Sequence, residues 1–371
     1  LDGKKSVFID ARMVDYHLHG IARYTYELIK NISKTNKIKF VLLVNDLNMA
    51  KDIFKEINNI EYIVMKSKFL SLKEQIELPR ILNKYKKEGI FHSPSFSSSP
   101  FLKIKSLMTI HDLNHLRFPE FYSPVHKYYY QYIVRPSALK SEKILTVSNF
   151  SKEEIRSWLN CKDEDIVVTY NGIDDSFKRI EDSEILNTIK NKYSLPENFV
   201  LYVGNQKPHK NVKTLIKAMS FIEQGLTLIL NGKDNQGLLE IAKESGVENR
   251  IKFIGFIDDK DLPAIYTLAR VFVFPSLYEG FGLPPLEAMA CGCPAIVADT
   301  SSLPEVVGEE GITFKVLNQE DLSVKINTLL IDNESYKKYS LYGLKRAGYF
   351  TWDKLAQQTM SEYENLLKKV K

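Results

Sequence analysis

Val271-Phe272-Val273-Phe274-Pro275-Ser276-Leu277-Tyr278-Glu279-Gly280-Phe281-Gly282-Leu283-Pro284-Pro285-Leu286-Glu287-Ala288-Met289-Ala290-Cys291-Gly292 is the stretch on which the architecture turns. Its first four residues are apolar without alternation, the mark of a strand covered on both faces. A loop with two glycines follows, and a helix is expected to begin near Pro284. Proline suits a first helical turn, because the N–H it lacks would find no intrahelical partner there. Gly292 is placed to close that helix as a left-handed cap. A second apolar run, Ala295–Val297, then restarts the pattern.

The same alternation extends in both directions. Before the linker region Asn171-Gly172-Ile173-Asp174 come Ser6–Asp10, Phe40–Val44, Tyr62–Met65, Gly89–His92, Leu107–Ile110 and Lys143–Val147; beyond it come Val200–Val203, Thr227–Leu230 and Ile251–Ile254. Between them lie helical spacings such as Ile21, Tyr24, Leu28 and Ile32. Apolar strands alternating with helices predict an α/β chain with two doubly wound parallel sheets. The expected division is 1–175 for a first Rossmann-like domain, 176–348 for a second, and 349–371 for a terminal helix. The helix from Trp352 carries Leu355, Met360, Tyr363, Leu366 and Leu367 on one face, and has to bury them on the second domain or back across the first.

A length of 371 residues accommodates two such cores, with 44% hydrophobic and 26% charged residues. No apolar run approaches the ~18 residues of a membrane span. The opening Leu1-Asp2-Gly3-Lys4-Lys5 runs straight into the first strand and is read as leaving no room for a signal peptide. Three cysteines, with Cys291 and Cys293 too close for a zinc half-site, point to buried thiols in a reducing compartment. Residues 1–175 hold 27 Lys+Arg against 21 Asp+Glu, while the whole chain is only +5. The basic excess therefore sits in the first half and is too small for a nucleic-acid arm.

Chemistry concentrates where strands end. The amides of Gly280 to Leu283 are expected to point outward at a positive helix end, an anion site, with Gly280 and Gly282 admitting a phosphate close to the backbone. Glu287, read as lying in the first helical turn, has two acceptor oxygens suited to a vicinal diol such as ribose. Val203-Gly204-Asn205-Gln206-Lys207-Pro208-His209-Lys210-Asn211 forms a second strand-to-helix turn, with Lys210 read at a helix start as a cation for a diphosphate. Met108-Thr109-Ile110-His111-Asp112 ends a strand of the first half, and Gly20-Ile21 opens its first helix; no GxGxxG is present, against a dinucleotide oxidoreductase. Leu72–Lys87 mixes Leu72, Ile76, Leu78, Ile81, Leu82 and Tyr85 with lysines and an arginine, and Tyr128, Tyr129, Tyr130 and Tyr132 follow; both are compatible with contact to an anionic membrane or with a core-facing helix.

Glu279 and Glu287 bracketing Gly280-Phe281-Gly282-Leu283-Pro284 resemble the signature of the retaining, nucleotide-sugar-dependent glycosyltransferases of family 4, bacterial mannosyltransferase-like members in particular. The resemblance implies a GT-B fold, two Rossmann-like domains facing a cleft. It also implies a first domain for the acceptor and a second for the donor, ribose binding by Glu287, a donor-sugar role for Glu279, and diphosphate contacts from Lys210. Asn205, Gln206 and Lys207 stand where the family usually carries an arginine, so Lys207 is the expected substitute, without the bidentate fork. Gly20 and Ile21 would face the donor, Phe256 would frame the base through the backbone around it, and His111 would lie beside the reactive carbon. No Asp-x-Asp metal motif occurs at a strand end, so no metal or other cofactor is expected, and no covalent nucleophile stands out.

The resulting expectation is a cytoplasmic enzyme at the inner membrane face. It would move a sugar with retention to a glycan or glycolipid hydroxyl in cell-surface polysaccharide synthesis, from GDP-mannose in preference to a UDP-sugar. A nucleotide-sugar epimerase of the same fold and a non-catalytic glycan-binding subunit are the alternatives.

Overall fold

The computed structural model describes residues 5–18, 20–35, 37–121, 124–222 and 225–370; Leu1 to Lys4 of the opening segment lie outside the described residues. The chain forms two compact units, residues 1–172 with 352–371, and residues 173–351. The chain thus leaves the first unit after Gly172 and returns to it at Trp352. The sequence boundaries at 175/176 and 348/349 each fall three residues away.

The first unit is built on seven strands: β1 (Ser6–Asp10), β2 (Lys39–Val44), β3 (Ile60–Val64), β4 (Gly89–Ser93), β5 (Lys105–Thr109), β6 (Lys143–Thr146) and β7 (Ile166–Val168). They lie in the order β3-β2-β1-β4-β5-β6-β7, and their pairings are parallel. All five residues of β1 are buried, as helices on both faces require. The second unit holds β8 (Phe199–Tyr202), β9 (Thr227–Leu230), β10 (Ile251–Phe253), β11 (Val271–Phe274), β12 (Ala295–Ala298) and β13 (Ile312–Phe314), ordered β10-β9-β8-β11-β12-β13 and again parallel. In each unit the winding reverses beside the first strand, between β1 and β4 and between β8 and β11. At that point neighbouring loops diverge at the carboxyl edge and leave room for a ligand.

Two edge strands, β7 and β13, were not legible as strands. Each is three residues long, with one or two of them only partly buried: Ile166-Val167-Val168 is too short a run to stand out, and Thr313 interrupts the other.

The terminal helix, Trp352–Lys368, belongs to the first unit. Leu355, Tyr363, Leu366 and Leu367 are buried, and Met360 sits at the margin. The Tyr363 hydroxyl is 2.5 Å from Nδ1 of the buried His92, whose Nε2 is 2.8 Å from the Thr109 hydroxyl. Lys5 Nζ donates to the carbonyls of Leu367 (2.6 Å) and Val370 (3.0 Å), closing the negative end of the helix.

Candidate active site

In the second unit the loops after β8 and β11 are tied together. The Leu277 N–H donates to the His209 carbonyl (2.8 Å), and the Asn211 side chain donates to the Pro275 carbonyl (3.1 Å). These contacts bring Lys210 to Glu279, with Nζ 2.5 Å from Oε1 and both side chains largely buried. The ammonium also stands 5.6 Å from the Phe274 ring centroid. Glu279 is held from the next loop, its N–H donating to the Ser301 hydroxyl (3.2 Å) and its carbonyl lying 2.9 Å from the Ser302 hydroxyl.

Local geometry refines two expectations. Lys210 ends a single 3-10 turn, Pro208–Lys210; Asn211 then adopts a left-handed conformation, and the α-helix begins only at Val212. The lysine therefore stands in the turn just before the helix, separated from it by Asn211. Glu287 is the fifth residue of the helix Leu283–Ala290, one residue deeper than a start at Pro284 would place it and just past the first turn, because the helix already starts at Leu283. Pro284 and Pro285 bring no N–H to this helix start, so main-chain donors come from the loop ahead of them.

Glu287 is 9% exposed, and Tyr266 donates its hydroxyl to Oε2 at 3.2 Å. Burial and this carboxylate push the Tyr266 phenol well above its ordinary pKa, so it remains a donor. Gly282 caps the helix at φ 109°, and a Cβ there would lie 2.8 Å from a Leu303 methyl; only glycine fits. The far end closes as expected: Gly292 is left-handed (φ 74°), its N–H donates to the Met289 carbonyl, and that of Cys293 to the Ala288 carbonyl.

Asn205 and Lys207 are exposed on the loop after β8, with the Asn205 side chain accepting the Lys207 N–H (3.2 Å). Gln206 is buried and pins that loop to the next one through the Asn231 carbonyl (3.3 Å). Phe256 follows β10 and is 82% exposed, a bare aromatic face at the same carboxyl edge. Next to it Gly232 and Gly255 exchange main-chain hydrogen bonds.

His111, Gly20 and Ile21 lie in the first unit. Gly20 caps the helix Ile21–Ile32 at φ 55°, ψ −120°, a region open to glycine alone. Tyr24 of that helix sets its ring edge-on to His111, centroids 4.6 Å apart. His111 Nε2 is 2.9 Å from the Pro94 carbonyl, which can only accept, so Nε2 carries the proton. Burial lowers the His111 pKa to about 4, leaving a neutral ring whose Nδ1 is an acceptor. Asp112 caps the following turn, accepting the Asn114 N–H (2.9 Å). Ser148 is the N-cap of the helix Asn149–Leu159.

The basic segment read as Leu72–Lys87 forms the helix Glu74–Leu82 and a 3-10 turn, Asn83–Tyr85. Leu78 and Leu82 are core residues, whereas Leu72 and Ile76 are 78% and 75% exposed. Of the tyrosines, Tyr130 is buried and Tyr129 donates to Glu74 (3.0 Å), leaving Tyr128 and Tyr132 outward with stacked rings. Among the described residues, no helix is long and apolar enough to cross a membrane.

Tyr266, Ser301 and Ser302 escaped sequence reasoning. They meet their partners across about twenty residues, on different helices or loops, and no local spacing marks them.

Comparison with known proteins agrees with this geometry. Residues 18–177 match the family described as Glycosyltransferase Family 4, and residues 187–346 match Glycosyl transferases group 1. The chain is 30% identical to O-antigen chain mannosyltransferase B of Escherichia coli, over 95% of this chain and 98% of that protein. It is also 31% identical to the serotype-specific mannosyltransferase WbdA of Escherichia coli, over 62% of this chain but only 29% of that longer protein. Among solved structures, a glycosyltransferase from Rickettsia africae superposes with a TM-score of 0.77 at 21% identity, covering 98% of this chain and 99% of that one. Anabaena HepE, solved with UDP and glucose, gives 0.75 at 18% identity, covering 97% and 100%.

Proposed function

The chain is a glycosyltransferase that belongs to family 4 and has the GT-B fold, and from that premise we propose that it transfers mannose from GDP-mannose, with retention, to a hydroxyl of a glycan or lipid-linked acceptor in cell-surface polysaccharide synthesis. The observation that carries the reading is the Lys210–Glu279 pair beside the glycine loop that opens the helix Leu283–Ala290. A mannosyltransferase related over nearly the whole length supports mannose as the sugar.

In this reading Lys210 and the loop amides up to Leu283 take the diphosphate and stabilise the charge that grows on it as the glycosidic bond breaks. Glu287, steadied by Tyr266, accepts the ribose hydroxyls. Glu279 orients the sugar, Lys207 and Asn205 flank the phosphates, and Phe256 offers its face to the base. Gly20 and Ile21, at the start of the helix Ile21–Ile32, help to hold the donor. The neutral His111 receives a sugar hydroxyl at Nδ1 rather than donating to it. With protein groups meeting the diphosphate, the mechanism needs no metal, and bond breaking and formation occur on one face of the sugar. Exposed Leu72, Ile76, Tyr128 and Tyr132, in a basic first half, fit contact with the anionic cytoplasmic face of a membrane that carries the acceptor.

The test is incubation with GDP-mannose or UDP-sugars and a mannan or lipid-linked acceptor. Acceptor-dependent release of GDP and an α-linked product by NMR are expected. Conversion of the donor without acceptor would instead indicate an epimerase, and failure to bind any nucleoside diphosphate a glycan-binding subunit.

A further inference from the structure

At the winding reversal of the first unit, between β1 and β4, a buried ionic cluster occupies the carboxyl edge. Arg12 forks onto Asp10, Nε to Oδ1 at 2.8 Å and Nη2 to Oδ2 at 2.7 Å, and reaches Glu74 Oε2 at 3.0 Å. All three side chains are fully buried. Two carboxylates against one guanidinium leave an excess negative charge, stabilised by the Tyr129 hydroxyl (3.0 Å), the Leu70 N–H (3.0 Å) and the Ser97 hydroxyl. Burying such a group is costly, and a well-packed apolar cluster would serve stability as well. Its use is therefore to be sought in what it holds.

It holds a loop. The Ser97 hydroxyl accepts from Arg12 Nη2 (3.1 Å) and donates to Asp10 Oδ2 (3.2 Å). The Ser97 N–H donates to the Ser95 hydroxyl (3.1 Å), and the Ser93 hydroxyl lies 2.8 Å from the Ser95 carbonyl and also contacts that of Ser97. These serines are buried, so the turn is fixed from within. Inside it stands Pro94, whose carbonyl takes the Nε2 proton of His111. The His111 main chain is anchored separately, its carbonyl accepting from the Ser151 hydroxyl (3.0 Å).

We infer that Ser97, clamped by Arg12, Asp10 and Glu74, is a positioning residue for His111: it aims the Pro94 carbonyl at Nε2 and so locks the imidazole in the tautomer that leaves Nδ1 as acceptor. For its effect on transfer the inference rests on the role proposed above for His111; the tautomer itself does not depend on that role.

The experiment is a long-range 1H–15N spectrum of histidine-labelled full-length protein, with His111 assigned by His111→Ala. Wild type should show His111 protonated at Nε2 alone. Ser97→Ala should show a mixture of tautomers, with kcat lowered about 5–20-fold and the donor KM within about twofold, as expected when a reacting geometry loosens but binding does not. Arg12→Lys, which keeps the charge but loses the fork, carries the same readout should Ser97→Ala not fold. A single Nε2–H tautomer in either folded variant would overturn the relay. A mixed tautomer with wild-type kcat would overturn its bearing on transfer. Undiminished transfer by His111→Ala is a different failure, that of the role proposed for His111, and leaves the tautomer result to decide the relay.

Discussion

Glu279→Gln separates two roles that most substitutions at this site would confuse. The carboxylate lies 2.5 Å from the Lys210 ammonium, with both side chains about seven-eighths buried. An incoming diphosphate therefore meets a lysine already neutralised and a negative charge beside it. At an effective dielectric near 20, a unit pair at about 4 Å interacts by ~4 kcal/mol before desolvation, most of which is cancelled in a mixed environment. A net gain of about 1 kcal/mol on removing the charge corresponds to roughly fivefold tighter binding of the nucleoside diphosphate. Glutamine keeps the shape but orients the sugar poorly, and misplacement of the reacting carbon costs about 10²-fold in turnover. Calorimetric titration with GDP and UDP, run beside initial-rate assays, reads both quantities. The expected signature is opposite movement: Kd falls while kcat falls. If Glu279→Gln binds the diphosphate no better than wild type, the idea that the carboxylate competes with the diphosphate for Lys210 is refuted.

Three further expectations follow from the same geometry. Glu287→Ala should bind ribonucleoside and dideoxyribonucleoside diphosphates alike, whereas wild type should prefer the former by about 10–100-fold, the worth of hydrogen bonds to a charged group; equal preference in both proteins would remove the ribose role. Leu355→Ala, in the fully buried face of the terminal helix, should cost about 2–5 kcal/mol in urea unfolding, and a loss below about 1 kcal/mol would mean that the helix is not a structural part of the first unit. His92, His111 and His209 have pKa values lowered by burial to about 3, 4 and 4, against 6.5 for an ordinary histidine. The unfolded chain then binds protons that the folded chain refuses, so stability should fall as pH drops from 6.5 toward 4; a melting temperature constant from pH 7 to 5 would contradict this sign.

What the sequence made legible was local. Gly282, Pro284 and Gly292 announced the start, first turn and end of one helix because each has a backbone reason to stand there. The displacement of Glu287 by one residue came from Leu283, which has no such marker. Lys210 keeps the strand-to-helix turn that its spacing gave it, ahead of the helix from Val212; only the left-handed Asn211 between them carries no marker in the sequence. Pairings across the chain were silent. Tyr266 finds Glu287 twenty-one residues later, and Arg12 finds Ser97 eighty-five residues later, through a sheet order that no single segment encodes. The exposed Phe256 and the half-hidden tyrosines belong to the same class, since burial depends on neighbours brought in by topology.

The central claim is that the second unit holds a nucleoside diphosphate through Lys210 beside the loop from Gly280 to Leu283. Titration of GDP and UDP into wild type and Lys210→Ala measures it directly. Saturable binding of one of them by wild type, weakened about 30-fold or more in the variant, is the predicted result for a largely buried charge contact. Equal affinity in the two proteins, or no binding of either nucleotide by wild type, would contradict it.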